Sequence, residues 1–193
     1  MLEKYFKDAS EKFAKPFVLV LAKFKIKPNT VSILGLIIVL LGSYFFYVDN
    51  KFLGIILIFL GSAVDGLDGP YARYQNLVSE RGAVLDSFID RLGELFIWSV
   101  VAIGFTSNDI ELFIVLSILV ASNLIPYIRA KSESYGITNK AGITARPERV
   151  IFAVIFMFFD LDYVFMYIFS LLCWITVLPV SYTHLTLPTI NWV

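Results

Sequence analysis

Apolar runs, each closed by a short polar or charged interruption, fill the chain from about residue 30 onward. They predict six helices over roughly 30–48, 52–71, 83–105, 110–130, 147–160 and 163–179. The last two are short and are joined only by Asp160-Leu161-Asp162. Ahead of them, residues 1–24 set Lys4, Lys7, Lys12, Lys15 and Lys23 among Phe6, Phe13, Phe17, Val18, Leu19, Val20 and Leu21. That mixture predicts an amphipathic helix lying in a membrane interface, with Pro16 as a bend or break. The lysines are spread through the segment and no small-residue cleavage site follows, so it does not read as a signal peptide. Lys27-Pro28-Asn29-Thr30 then stops one helix and opens the next. The expected fold is an all-α integral membrane protein, six transmembrane helices preceded by an N-terminal interfacial amphipathic helix.

Composition agrees with that class. Charged residues are 17% of the 193, below the roughly 25% of an average soluble domain. The single Cys173 lies in an apolar run, so no disulfide framework exists. The formal net charge of zero hides an asymmetry along the chain. The N-terminal segment and the 72–82 and 129–149 stretches hold nearly every Lys and Arg. The turns near 48–52, 105–112 and 160–162 carry Asp49, Asp109, Glu111, Asp160 and Asp162, with Lys51 as their only basic residue. The positive-inside rule then places both termini, and the ends of the second and third spans nearest residues 72–82, in the cytoplasm.

Those two ends hold four aspartates. Asp65 and Asp68 are three residues apart and Asp86 and Asp90 four apart, so each pair falls on one helix face. Acids at a helix end are often a solvated cap, but four of them inside apolar sequence are costly without a function. Carboxylates converging from two helices repel one another unless cations lie between them. Hard oxygen ligands with no nearby His or Cys favour magnesium or manganese over zinc. Two such ions held by shared carboxylates can clamp a phosphoryl group and activate an oxygen nucleophile. Gly69 and Gly82 would let substrate or a facing helix approach the backbone, and Arg73 offers a fork for phosphate. Arg91 and Glu94, further along the third span, either line the cavity or pair with each other. Gly35, Gly42 and Gly54 suit close helix packing.

Asp65-x-x-Asp68-Gly69-x-x-Ala72-Arg73, followed by Gly82-x-x-x-Asp86-x-x-x-Asp90, resembles the signature of the CDP-alcohol phosphatidyltransferase family, with eight defined residues in register over 26 positions. Six spans with cytosolic termini also resemble that family, so the likeness covers nearly the whole chain. It implies transfer of a phosphatidyl-type group from a CDP-linked lipid to an alcohol, with release of CMP. It implies two divalent cations, magnesium or manganese, held by Asp65, Asp68, Asp86 and Asp90, with Asp65 and Asp86 bridging both. Asp90 would also be the general base on the acceptor hydroxyl. Gly69, Ala72, Arg73 and Ser79, with the Pro28-Asn29-Thr30-Val31 turn, would hold the CDP-lipid. The family also implies a homodimer.

The stretches Pro126–Gly136 and Gly142–Arg149 resemble the branch that uses inositol phosphate, the phosphatidylinositol phosphate and archaetidylinositol phosphate synthases. Arg129, Lys131, Arg146 and Arg149 suit an acceptor that is itself a phosphomonoester. Positive-inside bias alone would also supply basic residues there, and Glu133 and Glu148 could pair with them. Glycerol 3-phosphate is the alternative acceptor, and a divalent cation transporter is the distant alternative from another class. Against transport, the acids lie near one membrane face and no second acidic pair continues a path. The donor is open between CDP-diacylglycerol and CDP-archaeol. Val180–Thr189 reads as the translation of a transposon-type sequencing adaptor, so 180–193 is expected to be non-native and His184, the only histidine, has no catalytic role. The membrane domain is accordingly expected over 1–179, with the natural chain continuing past about residue 179.

Overall fold

The computed structural model describes residues 14–24, 26–136 and 144–182, with side chains through residue 178, and every regular element among them is an α-helix. Helix α1 covers 14–23 in its described part. It is followed by α2 (Pro28–Tyr47), α3 (Lys51–Asp65), α4 (Asp68–Tyr74), α5 (Glu80–Phe105), α6 (Asp109–Ser134), α7 (Arg146–Phe159) and α8 (Val164–Tyr182). These follow the six expected spans to within a few residues, with one difference. The second span is broken in two. At Gly66 and Leu67 the chain tightens, Leu67 N–H donating three residues back to Val64 at 3.0 Å, before α4 starts.

Local chemistry explains the other boundaries. Pro28 begins α2, where its missing N–H costs nothing, and Pro147 sits in the first turn of α7 for the same reason. Asn108 caps α6, its side-chain oxygen accepting from Ile110 and Glu111 N–H at 3.1 Å each. Left-handed Asp49 and Asp160 turn the chain after α2 and α7. Pro16 does not break the described helix, because it falls inside 14–23. The rest of the expected interfacial segment, residues 1–13, and the end of the adaptor-like segment, 183–193, lie outside the described residues. Helix α8 runs through 180–182 before that limit.

Among the described residues, three helical stretches are long and apolar enough to cross a membrane: Pro28–Tyr47, Lys51–Tyr74 and Asp109–Ser134. Charges from Glu80 to Glu94 keep α5 from that class, although it has 26 residues. Helix α7, at 14 residues, reaches only about 21 Å against a hydrocarbon core of about 30 Å.

The chain divides into two compact units, Met1–Phe96 and Ile97–Val193. In the first, α2 and α3 touch backbone to backbone through glycines seven residues apart on each helix. A methyl added to Gly42 would lie 2.7 Å from Ile58 N, one on Gly54 2.7 Å from Phe46 N, and one on Gly61 2.7 Å from Gly35 O. At the far end of this seam a methyl on Gly35 would lie 2.7 Å from Asp65 Cβ. The small residues that draw the helices together thus also set where the first aspartate stands. Ala14 and Val18 of α1 pack with Val31 of α2 and Tyr71 of α4, and the Tyr71 hydroxyl donates to Ile26 O at 2.6 Å.

The second unit is held differently. Phe152 stacks on Phe169 at 3.8 Å between centroids, and Trp98, Phe105, Phe156 and Tyr163 extend the aromatic cluster. Helix α6 packs on α8, where Ser117 and Ser170 share a hydrogen bond at 2.9 Å. Thr144 donates to Thr176 at 3.0 Å, and Thr176 to Leu172 O at 2.9 Å.

Candidate active site

Asp65 ends α3, Asp68 opens α4, and Asp86 stands on the second turn of α5. One ligand oxygen from each lies within 4.8 Å of the other two. Asp65 and Asp68 are buried and Asp86 is half-buried. Asp90, one turn further along α5, is half-buried and is not one of this close group. The break at Gly66–Leu67 has a consequence here: it redirects the chain between Asp65 and Asp68 while leaving both beside α2. Ser32, buried on α2, donates to Asp68 Oδ2. The donor set is all carboxylate oxygen, which favours a hard divalent cation over zinc.

A cleft of about 300 Å³ opens beside Asp68 and Asp86. Its walls include Pro28, Asn29, Gly69, Ala72, Arg73 and Ser79, six of the eight residues expected to hold the CDP-lipid. Thr30 and Val31 do not line it: Thr30 is exposed, and Val31 is committed to the buried cluster around Tyr71. Gly82 closes the floor at the start of α5, its N–H donating to Ser79 Oγ at 3.1 Å. A methyl there would come within 3.0 Å of that oxygen and 3.3 Å of Asn29 Oδ1. Ser32, Leu77, Val78 and Ala83 complete the walls and were not expected from the motif. Only Ser32 had a usable signal, standing one helical turn beyond Pro28.

Residues 25–180 match the CDP-alcohol phosphatidyltransferase family. This chain belongs to that family. The archaetidylinositol phosphate synthase of Pyrococcus horikoshii is 36% identical over 157 residues, 81% of this chain and 82% of that one. Two crystal structures of the phosphatidylinositol phosphate synthase of Mycobacterium tuberculosis share the fold. The one with CDP-DAG bound has a TM-score of 0.79 at 26% identity, covering 94% of this chain and 98% of that one. The one in complex with manganese and citrate has a TM-score of 0.78 at 27% identity, covering 93% of each. The protein is therefore a phosphotransferase enzyme of phospholipid biosynthesis, and the transporter reading is set aside.

The cations expected to meet the acceptor lie in the second unit. Arg149 is 3% exposed and donates to Thr144 O at 2.8 Å. Arg129 and Arg146 are half-buried, and Arg129 Nε is buried with no hydrogen-bond partner among the described residues. Lys131 differs from these three. It is exposed, with its ammonium 4.8 Å from the ring centre of Tyr135. Arg91, on α5, donates to Ser87 O one turn back.

Proposed function

We propose that this enzyme transfers a phosphatidyl-type group from a CDP-linked lipid, CDP-diacylglycerol or CDP-archaeol, to inositol 1-phosphate and releases CMP. The observation that carries the reading is the cleft that joins Asp68 and Asp86 to Asn29, Arg73 and Ser79. Carboxylates and a guanidinium lining one cleft suit a diphosphate held by cations and a fork of donors. Asp65, Asp68, Asp86 and Asp90 would hold two divalent cations, magnesium or manganese. When bound, such ions neutralise the diphosphate and acidify a hydroxyl in reach. Arg73, Pro28 and Asn29, with Gly69, Ala72 and Ser79, orient the nucleotide end.

Asp90 takes the proton of the acceptor hydroxyl as its oxygen bonds to the lipid-side phosphorus. The bond from that phosphorus to the bridging oxygen breaks, and CMP leaves with the electron pair. Arg129, Lys131, Arg146 and Arg149 hold the acceptor's own phosphate. The names of the similar synthases support this acceptor, as do the burial of Arg149 and the half-burial of Arg129 and Arg146. We place the enzyme in the cell membrane as a six-span homodimer, with the membrane domain over 1–179 and residues 180–193 foreign to it. Residues 1–24 lie in the interface, and both termini and the cleft face the cytoplasm. Exposed Phe17, Leu19, Val20 and Phe24 on or beside α1 suit the lipid surface.

The test is magnesium-dependent CMP release from a CDP-lipid, with inositol 1-phosphate or glycerol 3-phosphate as acceptor. Release with inositol 1-phosphate, lost in Asp90→Asn, is the expected result. Release with glycerol 3-phosphate alone would reassign the acceptor.

A further inference from the structure

We propose that Ser32 is a positioning residue for the Asp68 carboxylate, an inference that rests on the metal-dependent reading above. Ser32 lies outside the aspartate motif, on a different helix and 36 residues away from Asp68. Its side chain is 3% exposed. The hydroxyl has one proton and two acceptors in reach, Pro28 O at 3.4 Å and Asp68 Oδ2. A bond to an ionised carboxylate is stronger than a stretched bond to a carbonyl, so the proton goes to Asp68.

Asp68 needs such a tie. It is the first residue of a seven-residue helix that follows the tightened break at Gly66–Leu67. That turn fixes the backbone, with Leu67 N–H bonded to Val64 O at 3.0 Å, but leaves the carboxylate free to rotate about its own side-chain bonds. With Oδ2 held by Ser32, the carboxylate cannot spin, and its other oxygen keeps one direction. The same face of α2 serves both ligands. Gly35, three residues on from Ser32, is in backbone contact with Asp65, which is three residues before Asp68. One helix thus acts as a template against which two carboxylates on successive helices are set. Hydrogen-bond partners of metal ligands commonly govern metal affinity by ~10–100-fold, because they fix the ligand's orientation before the ion arrives.

The experiment compares wild type, Ser32→Ala and Ser32→Thr in detergent by electron paramagnetic resonance titration of free Mn²⁺. Magnesium dependence of CMP release and thermal unfolding are followed in parallel. Ser32→Ala is expected to weaken Mn²⁺ binding and raise half-saturating magnesium by about tenfold or more. Ser32→Thr, which keeps the hydroxyl, is expected to restore both. Mn²⁺ binding by Ser32→Ala as tight as wild type would overturn the inference. With that result, a lower unfolding temperature would make the bond a structural tie, and a higher KM for CDP-lipid at saturating magnesium would make Ser32 a donor contact. Wild type that binds no Mn²⁺ would sink the metal reading and this inference with it. If Ser32→Ala does not fold, Ser32→Cys, nearly isosteric and a weak donor, carries the same titration.

Discussion

The two units solve the same problem, packing helices with little polar surface to spare, by opposite means. In Met1–Phe96, α2 and α3 meet through Gly35, Gly42, Gly54 and Gly61, with no room for a side chain at any of them. In Ile97–Val193, bulky rings fill the space and hydroxyl pairs such as Ser117–Ser170 and Thr144–Thr176 join the helices. Backbone contact leaves no slack, so it suits the unit that must hold three carboxylates within 4.8 Å of one another. Rings and hydroxyls can repack by small rotations. The lesson is that carboxylate geometry here depends on glycines that never touch the ligands.

The largest effect should come from the close carboxylate group. Asp65→Asn or Asp86→Asn removes several kcal/mol of charge stabilisation and should cut CMP release by roughly three orders of magnitude. A loss under tenfold would mean the close group is not the reaction centre. Next is the seam. Gly61→Ala, whose added methyl would meet Gly35 O and Val39 N at 2.7 Å, should destabilise the protein by about 1–3 kcal/mol. It should also lower activity through Asp65, and both are read by thermal unfolding and CMP release. An unchanged unfolding temperature would break the contrast between the units.

In the second unit, Arg149→Met removes a buried, hydrogen-bonded cation. It should raise the KM for inositol 1-phosphate by about tenfold or more, the worth of one charge-assisted bond. Lys131→Gln, at an exposed site over Tyr135, should change it by less, a difference that steady-state kinetics on the pair resolves. Equal effects would mean that burial does not rank these cations. The smallest change is Thr176→Val, which removes the hydroxyl link to Thr144 and should cost about 1 kcal/mol by thermal unfolding, with the metal dependence unaltered.

Much of this was legible in the chain before any fold was known. Apolar periodicity located the helices, and Lys27-Pro28-Asn29-Thr30 marked where α2 starts, because those signals are local. The spacing of Asp65, Asp68 and Asp86 pointed to one site, since a carboxylate cluster in apolar sequence has few other uses. The family resemblance also anticipated six cleft residues, but it included Thr30, which is exposed, and Val31, which the packing spends on Tyr71 instead. Periodicity could not show the break at Gly66–Leu67, because both residues keep near-helical dihedrals and the apolar pattern runs on through them.

By itself the sequence determined helices throughout the described residues, the family, and the aspartates that come together, all of which follow from residue type and spacing along the chain. Only the tertiary structure decided that Ser32 reaches Asp68, that Gly35 presses on Asp65, and that Arg149 is buried while Lys131 is not. Each of those depends on which helix faces which and at what distance. That is set by packing between residues far apart in the chain, a quantity no local pattern encodes.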